Sequence, residues 1–405
     1  MDLVVIGLGY VGLPLALSAA DAGYKVFGFD IDTKKIEDLQ KGKVFSFDIS
    51  SVKLLELQKS NKLTLSNSLP NLTSAATIII AVPTPIGLDR KPQLGILIDA
   101  CEKVSSIATN DSLIISESTS YIGTLRNLIK PLIESKSNAI GLKFAVAPER
   151  IDPGNKIWEL SNTPRVIGGI NQDSAQEASR FYKKFCSQVY VVSSPEAAEA
   201  AKLIENTFRN VNIALVNELA EASSGLGFSM NEAIEAAATK PFGFMPFFPS
   251  IGVGGHCIPV DPSYLSFSVT NIGLETKLID LADKINQSTP LNIAKRIESL
   301  LGNDLNGRNI QFAGITYKPN TSDTRESPTL ILMAELRKLG AEVKWFDPLV
   351  KSVGNEVSQP LDIHIDLGII TVPHDQIDFS PWLQAGTNVI DLSISKQNYG
   401  WTKFL

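Results

Sequence analysis

The stretch that decides the fold is Leu3-Val4-Val5-Ile6-Gly7-Leu8-Gly9-Tyr10-Val11-Gly12. Its first four residues predict a short buried strand, and its glycines predict a tight turn that opens a helix over residues 13–23. A second predicted strand, residues 25–30, ends in Asp30, which follows Gly12 by 18 residues. Strand, glycine turn, helix and terminal acid in this order are typical of a unit that binds a dinucleotide.

The same residues predict which dinucleotide binds. The GxGxxG turn and the helix start offer backbone N–H groups to a pyrophosphate. The carboxylate of Asp30 would accept hydrogen bonds from the adenosine ribose and repel a 2′-phosphate, which favours NAD over NADP. Lys34 and Lys35 lie close to it in sequence and leave room for NADP.

Five further apolar runs predict the rest of a parallel sheet that is covered on both faces. They are residues 77–82, 112–116, 144–147, 165–168 and 189–192. Ligands of such sheets lie beyond the carboxyl ends of the strands. Three of these ends are polar and predict a site lining, although any one alone could be a plain turn: residues 83–85, 117–119 and 148–154.

A long helix is predicted from Pro195 to about Gly225, because this stretch is rich in alanine and begins with proline. Lys202, Asn206 and Arg209 share one face of it. A solvated stripe is one explanation. On a helix this apolar, however, the stripe also predicts a ligand such as a phosphate, a sugar hydroxyl or an oxyanion.

Two more helical stretches complete the predicted middle of the chain. Residues 231–238 form the first, and residues 276–301 are expected to form two helices that close this part. Between them, residues 240–249 combine aromatic residues with prolines and predict a loop over the substrate that also packs against the protein.

The loop Gly252-Val253-Gly254-Gly255-His256-Cys257-Ile258-Pro259-Val260-Asp261-Pro262 carries a candidate nucleophile. The step of four residues from Cys257 to Asp261 predicts a helical first turn with thiol and carboxylate on one side. A thiolate is favoured by a helix start or a nearby cation, and Lys202 is the candidate cation. The alternative is a cysteine that only fills a small space in the core.

A second α/β unit is predicted after residue 304. Strand 309–315, helix 328–339 and strand 342–347 repeat the plan of residues 3–30 without its glycine fingerprint. Lys318 and Arg325 precede the helix, and cations at a helix start suit a pyrophosphate. Alternatively, Arg325 pairs with Asp323 and Ser327 caps the helix.

Composition narrows the function classes. The chain has 405 residues, 44% of them apolar, and a net charge of −6 with a pI near 5.3, so it has no electrostatic footprint for nucleic acid. Three widely spaced cysteines exclude a disulfide framework and a Cys-x-x-Cys zinc cluster, and no metal is predicted. Asp2 argues against a secretory signal, and no apolar run is long enough for a membrane span. A cytoplasmic protein is expected.

These blocks together resemble the UDP-sugar 6-dehydrogenases across the whole chain. The matching blocks are residues 7–12, 82–85, 118–119 with 123–124, 147–154, 202–217, 252–262 and 314–328. The resemblance implies oxidation of C6 of a UDP-sugar from alcohol to acid, with two NAD⁺ used in succession and the aldehyde retained. The family's cysteine matches Cys257. A UDP-sugar is thus the implied partner, and a homodimer or higher homo-oligomer is expected.

The resemblance implies roles for individual residues. It implies that NAD contacts Gly7, Gly9, Tyr10, Val11, Gly12, Asp30, Lys35, Thr84, Thr119 and Arg325. It implies that the UDP-sugar contacts Glu149, Arg150, Ile151, Lys202, Asn206, Arg209, Gly254 and Lys318. We expect Cys257 to form a thiohemiacetal and then a thioester. The other expected catalytic groups are Thr119 and Asp261 around a base water, Lys202 and Asn206 at the oxyanions, and Glu149 or Asp261 in thioester hydrolysis.

The sugar is predicted from residues 239–247, which are similar to the UDP-N-acetylglucosamine branch. Pro241 and Gly243 stand where UDP-N-acetylmannosamine enzymes commonly have His and Arg. Alternative substrates are UDP-N-acetylmannosamine, UDP-glucose and UDP-N-acetylgalactosamine. A two-electron hydroxyacid dehydrogenase would leave Cys257 and the last domain without a role, and a non-catalytic NAD-binding scaffold would be indifferent to Cys257→Ser.

The predicted fold class is α/β, with two doubly wound Rossmann-like domains joined by a central all-helical domain with one long helix. The predicted domains are an NAD-binding domain (1–194), a central dimerisation and catalytic domain (195–301), and a UDP-binding domain (302–405).

Overall fold

The computed structural model describes residues 1–44, 49–87, 89–151, 155, 157–255, 257–394, 401 and 404. Residues 152–154 and His256, which belong to two of the predicted site loops, lie outside the described residues. The chain forms two compact units, one of residues 1–205 and 263–274 and the other of residues 206–262 and 275–405.

Eight strands form the sheet of the first unit: β1 (Leu3–Ile6), β2 (Val26–Phe29), β3 (Leu63–Ser66), β4 (Thr77–Ile80), β5 (Leu113–Ser116), β6 (Lys143–Val146), β7 (Arg165–Gly169) and β8 (Val189–Val192). Their order is β3-β2-β1-β4-β5-β6-β7-β8. The predicted strands are all present. One expectation is wrong, because β6 and β7 pair antiparallel whereas the other neighbours run parallel. A parallel pair needs a crossover, and in the described part of residues 147–164 there is no helix to provide one.

Helices cover both faces of this sheet: α1 (Gly12–Asp21), α2 (Thr33–Gln40), α3 (Ser51–Lys59), α4 (Gly95–Ile107), α5 (Lys130–Lys136), which follows a π-helical turn (Leu125–Ile129), and α6 (Gln172–Tyr182). Leu3 and Val5 of β1 join the core on one face, and Val4 and Ile6 join the core on the other. Because successive side chains of a strand point to opposite faces, a strand with two buried faces is apolar throughout.

Four helices follow: α7 (Pro195–Leu226), α8 (Met230–Ala238), α9 (Asp261–Thr270) and α10 (Lys277–Leu300). The prediction of one long helix is confirmed by α7, which has 32 residues. The expectation of two helices over residues 276–301 is wrong. Pro290 lies inside α10 and lacks the N–H that would bond the carbonyl of Asn286, but the helix continues because Ile293, Ala294 and Ile297 are buried. Among the described residues, no helix has both the length and the apolar character of a membrane span.

The second unit contains a four-stranded parallel sheet. Its elements are β9 (Asn309–Ala313), α11 (Pro328–Lys338), β10 (Glu342–Phe346), β11 (Ser352–Val353), β12 (Glu356–Val357), β13 (Leu367–Ile370), α12 (Ser380–Ala385) and β14 (Val389–Asp391). The strand order is β10-β9-β13-β14, and β11 and β12 form a separate antiparallel pair. The predicted second α/β unit is confirmed.

Candidate active site

The three glycines of the first turn have different surroundings. Gly7 has φ of +95°, and a Cβ on it would lie 2.5 Å from the Ala81 carbonyl oxygen. A Cβ on Gly12 would lie 1.9 Å from the Gly7 carbonyl oxygen, so this glycine lets α1 start directly against the turn. A Cβ on Gly9 would meet no protein atom within 4 Å. The first and third glycines therefore serve the protein's own packing, and the second borders an open cradle that fits a pyrophosphate.

Asp30 closes this cradle at the end of β2. Its Oδ2 accepts hydrogen bonds from the Leu8 N–H (2.9 Å) and from Lys35 Nζ (2.8 Å), and its Oδ1 accepts one from the Asp32 N–H (3.0 Å). The carboxylate is buried beside the glycine turn, at the strand end where a ribose-binding acid is expected. The residues present therefore fit NAD. Lys35 forms an ion pair with this carboxylate. On the glycine turn, Tyr10 is exposed and Val11 is half-buried.

The segments that follow β4 and β5, two of the predicted site-lining segments, contact each other. Thr84 Oγ1 donates to the Thr119 carbonyl (2.6 Å), and Ser118 Oγ donates to the Val82 carbonyl (2.8 Å). Sequence reasoning missed Tyr264 of α9, which is buried and donates from its hydroxyl to the Thr84 carbonyl (3.0 Å). Because it lies 180 residues from Thr84 in the chain, no local pattern identifies it.

The loop after Thr119 is held by a second residue that sequence reasoning missed. Buried Glu199 of α7 accepts the N–H of Gly123 (2.5 Å) and the N–H of Leu125 (2.9 Å). Burial raises the pKa of this carboxyl to about 7, and the two N–H donors oppose the rise. The sequence signal that could have identified Glu199 is an acidic residue three positions before Lys202 in a largely apolar helix.

We expect Glu199→Ala to lower the free energy of unfolding by about 2–4 kcal/mol, because it leaves two buried N–H groups without their acceptor. Glu196→Ala is the matched control on the same helix. Glu196 forms a partly exposed pair with Arg126 (2.6 Å), whose loss should cost at most about 1 kcal/mol. Urea unfolding of both variants measures the difference. Equal losses in the two variants would contradict the role of Glu199.

Glu149 and its neighbours lie after β6. Glu149 Oε1 accepts the N–H groups of Arg150 (2.6 Å) and Ile151 (2.7 Å), and its Oε2 accepts from Arg165 Nη1 (3.2 Å). The Arg150 guanidinium binds Glu205 of α7 (Nη2 to Oε1, 2.5 Å) and the Pro164 carbonyl (2.7 Å). The predicted phosphate ligand Arg150 is thus paired with a carboxylate in this structure.

The polar face of α7 is not uniform. Lys202 is buried, Asn206 is half-buried and Arg209 is exposed. In the second unit, Asn206 Nδ2 donates to Asp261 Oδ2 (2.5 Å). Asp261 is buried at the first position of α9, and its N–H donates to the Cys257 carbonyl (2.8 Å). The structure therefore brings Asn206, Asp261 and the Cys257 backbone together, and the helical turn expected after Cys257 is present.

The glycines of the Cys257 loop allow this loop to pack closely against the loop that follows β9 in the same unit. A Cβ on Gly254 would lie 2.7 Å from Tyr317 Cβ, and a Cβ on Gly255 would lie 3.0 Å from the Tyr317 ring. The Gly255 N–H donates to the Arg325 carbonyl (3.1 Å). Tyr317 thus packs directly against the glycines of this loop, a contact that sequence reasoning did not identify.

The predicted pyrophosphate loop carries its own ion pair. Arg325 binds Asp323 through Nε (2.9 Å) and Nη2, which agrees with the alternative prediction that these two residues pair. Ser327 does not cap α11 with its side chain, because its hydroxyl donates to the Ile315 carbonyl (2.8 Å). Lys318 lies in the same loop, half-buried.

The second unit also repeats the construction of the first turn. The Ile315 N–H donates to Asp347 Oδ2 (2.9 Å), as the Leu8 N–H does to Asp30. Here, however, buried His374 Nε2 lies 3.0 Å from the same Asp347 oxygen. This acid is thus enclosed by the protein, which agrees with the absence of a second dinucleotide fingerprint in the sequence.

Three family models match the chain in order. The NAD-binding domain of the UDP-glucose/GDP-mannose dehydrogenase family matches residues 1–186, the central domain of that family matches residues 196–288, and its UDP-binding domain matches residues 312–392.

Curated relatives and solved structures of similar length agree with this match. The UDP-N-acetyl-D-mannosamine dehydrogenase of Pyrococcus horikoshii is 33% identical over 96% of this chain and 93% of its own length. The UDP-N-acetyl-D-glucosamine 6-dehydrogenase of Pseudomonas aeruginosa is 33% identical over 87% of this chain and 84% of its own. The structure of the Pyrococcus horikoshii enzyme superposes with a TM-score of 0.88 at 31% identity, covering 100% of this chain and 98% of that one.

Proposed function

The chain belongs to the UDP-glucose/GDP-mannose dehydrogenase family, and we propose that it oxidises C6 of UDP-N-acetyl-D-glucosamine from the alcohol to the carboxylic acid. It is an oxidoreductase whose cofactor is NAD, which supplies the hydride acceptor when bound. One observation carries the proposal of a four-electron reaction. Cys257 precedes helix α9 by one turn and is linked through its carbonyl to the buried Asp261.

The proposed covalent chemistry belongs to Cys257. A helix N-terminus favours a thiolate, and the Cys257 thiolate would add to the C6 aldehyde to form a thiohemiacetal. Loss of the hydroxyl proton and of a second hydride, for which bound NAD⁺ would be the acceptor, converts this adduct into a thioester. Attack by water then breaks the C–S bond, releases the acid and restores the thiolate. The covalent bond retains the sugar between the two oxidations.

The remaining groups would manage protons and developing negative charge. Asp261, oriented by Asn206 at 2.5 Å, is suited to hold a water that accepts the hydroxyl proton. Thr119 is proposed as a further catalytic residue. The buried Lys202 ammonium is suited to stabilise an oxyanion, which is typically worth about 2.7–4 kcal/mol of barrier. Glu149 is proposed to serve hydrolysis of the thioester.

The identity of the sugar is supported by residues 239–247, where Pro241 and Gly243 replace the His and Arg expected of mannosamine enzymes. A second candidate is UDP-N-acetyl-D-mannosamine. The curated relatives with that activity favour it, because they are as similar to this chain as those acting on the glucosamine sugar.

Turnover of a panel of UDP-sugars with NADH counting tests both points. We expect the fastest initial rate with UDP-N-acetyl-D-glucosamine and about two NADH per sugar consumed, because one alcohol yields one acid. UDP-N-acetyl-D-mannosamine, UDP-N-acetylgalactosamine and UDP-glucose are the comparison substrates. A higher kcat/KM for the mannosamine sugar would overturn the proposed substrate, and one NADH per sugar would overturn the covalent route.

Assembly, domains and location complete the proposal. Phe208, Leu215 and Leu219 lie on one face of α7 with 46%, 54% and 44% of their surface exposed, which supports a homodimer or higher homo-oligomer.

The three family models support domains at 1–194, 195–301 and 302–405. A cytoplasmic location is supported by the reduced thiols of Cys101, Cys186 and Cys257, because thiols stay reduced in that compartment.

A further inference from the structure

One guanidinium in the first unit lies between two buried carboxyl groups. Arg165, the first residue of β7, donates from Nη2 to Glu117 Oε1 (2.8 Å) and from Nη1 to Glu149 Oε2 (3.2 Å). Nη1 also donates to the Pro148 carbonyl (3.3 Å), and the guanidinium carbon lies 4.8 Å from the centre of the Tyr182 ring. Arg165, Glu117 and Glu149 are 5%, 1% and 6% exposed, so water screens this network little.

The charges of this network do not balance when both acids are ionised. Two carboxylates and one guanidinium leave one buried negative charge, which is costly in an apolar interior. Burial raises the pKa of Glu117 to about 7; the charge of Arg165 opposes this rise and the charge of Glu149 adds to it. Glu117 therefore keeps its proton below about pH 7 and loses it above.

The other titratable groups that face Glu117 stay neutral near pH 7. The Tyr182 hydroxyl donates to Glu117 Oε1, and burial raises the pKa of this phenol well above its usual value. Burial also raises the pKa of the Cys186 thiol to about 11. Glu117 Oε2 is buried without a hydrogen-bond partner among the described residues. Ionisation of Glu117 thus changes mainly its interaction with Arg165.

The position of Glu149 depends on the same guanidinium. Two backbone N–H groups hold Oε1 of Glu149, whereas the hydrogen bond of Oε2 comes from Arg165. An arginine can bind two carboxylates at once because its donors form a planar fork, whereas a lysine offers one point charge. Arg165 therefore links the protonation state of Glu117 to the orientation of Glu149.

We propose that Arg165 is a positioning residue for Glu149 and that Glu117, when ionised, shares with Glu149 the charge of the Arg165 guanidinium, which weakens the hold of that guanidinium on Glu149. This inference rests on the proposed function, in which Glu149 serves thioester hydrolysis. It has a direct consequence: the hydrolytic step responds to pH through a residue that does not touch the substrate. Below about pH 7 the guanidinium charge is available to Glu149 alone.

The test compares Glu117→Gln, Arg165→Lys and Arg165→Met with wild type over pH 6–9, using UDP-N-acetyl-D-glucosamine and NAD⁺, or the panel sugar that wild type turns over fastest. The steady-state kcat and the fraction of enzyme carrying a covalent adduct, by intact mass, are measured. Arg308→Met, which breaks an exposed pair with Asp366, is the control for loss of an arginine. Melting temperature and NAD binding monitor the fold.

We expect wild type to show an inflection of kcat near pH 7 that Glu117→Gln lacks, because glutamine keeps the hydrogen bonds and cannot ionise. Arg165→Lys should lower kcat about tenfold or more, with adduct accumulating and KM changing less than about threefold. Arg165→Met leaves two buried carboxyls unpaired, and we expect a larger loss than in Arg165→Lys. The Arg308→Met control should match wild type.

The outcomes separate this inference from the proposed function. The inference alone is overturned if wild type produces two NADH per sugar and Glu117→Gln shows the same pH dependence of kcat as wild type. A normal kcat and no adduct accumulation in folded Arg165→Lys also overturns it. One NADH per sugar in wild type overturns the proposed function and the role of Glu149 together.

Discussion

Cys257→Ser is expected to abolish release of the acid, lowering kcat for the complete reaction at least about 1,000-fold, as loss of a covalent nucleophile typically does. A serine hydroxyl is a far weaker nucleophile than a thiolate at neutral pH, so the aldehyde is not captured. NAD binding should be unchanged, because serine has nearly the size of cysteine and the substitution leaves the cradle of Gly7, Gly9 and Gly12 intact. Acid formation by chromatography and adduct detection by intact mass measure the effect.

The matched control for this variant is Cys101→Ser. Cys101 is a buried cysteine of α4, so its replacement tests the loss of a thiol remote from the proposed chemistry. It should lower the melting temperature and leave kcat within about threefold of wild type. Acid release by Cys257→Ser at more than a tenth of the wild-type rate would refute the covalent route.

Gly12→Ala is expected to remove NAD binding, with Kd raised at least about 100-fold, a change of roughly 2.7 kcal/mol. A Cβ at this position would lie 1.9 Å from the Gly7 carbonyl oxygen and 3.2 Å from Ala81 Cβ. A methyl group has no rotamer that avoids the contact, so the turn and the start of α1 must separate. Such overpacking typically costs a further 1–3 kcal/mol of stability, roughly. Calorimetric titration with NAD⁺ and urea unfolding measure the two effects.

Gly9→Ala and Gly225→Ala are the controls for Gly12→Ala. A Cβ on either glycine meets no protein atom within 4 Å. Gly9→Ala should keep wild-type stability and weaken NAD binding on the order of tenfold, because its methyl group enters the cradle. Gly225→Ala, in the last turn of α7, should stabilise the protein by at most about 0.5–1 kcal/mol and leave NAD binding unchanged. Wild-type NAD affinity in Gly12→Ala would contradict the packing argument.

Short-range patterns carried most of the fold prediction. The fingerprint around Gly7 and Gly12, the apolar strands and the alanine-rich α7 were predicted because each depends on neighbours within a few residues. Strand β3 was missed because it is a short edge strand with alternating burial. The antiparallel pairing of β6 and β7 was missed because strand direction depends on the path of the whole connection.

Candidate site residues divide in the same way. Asp30 and the turn from Cys257 to Asp261 were found because their spacing lies within one motif. Tyr264 and Glu199 were not found, because their partners lie 180 and about 75 residues away in the chain. The local sequence around Tyr264 gives no indication of its contact, and an acid in an apolar helix marks Glu199 without identifying its partners.

The amino-acid sequence by itself determined the class of fold, the dinucleotide cradle and the identity of the candidate nucleophile, because these depend on backbone geometry and residue chemistry over short spans. Only the tertiary structure decided which charges share a partner: Arg165 lies between Glu117 and Glu149, and Arg150 pairs with Glu205. The physical reason is burial. Once water is excluded, each charged group must find a partner through space, and packing of the sheet and helices determines which one is within reach.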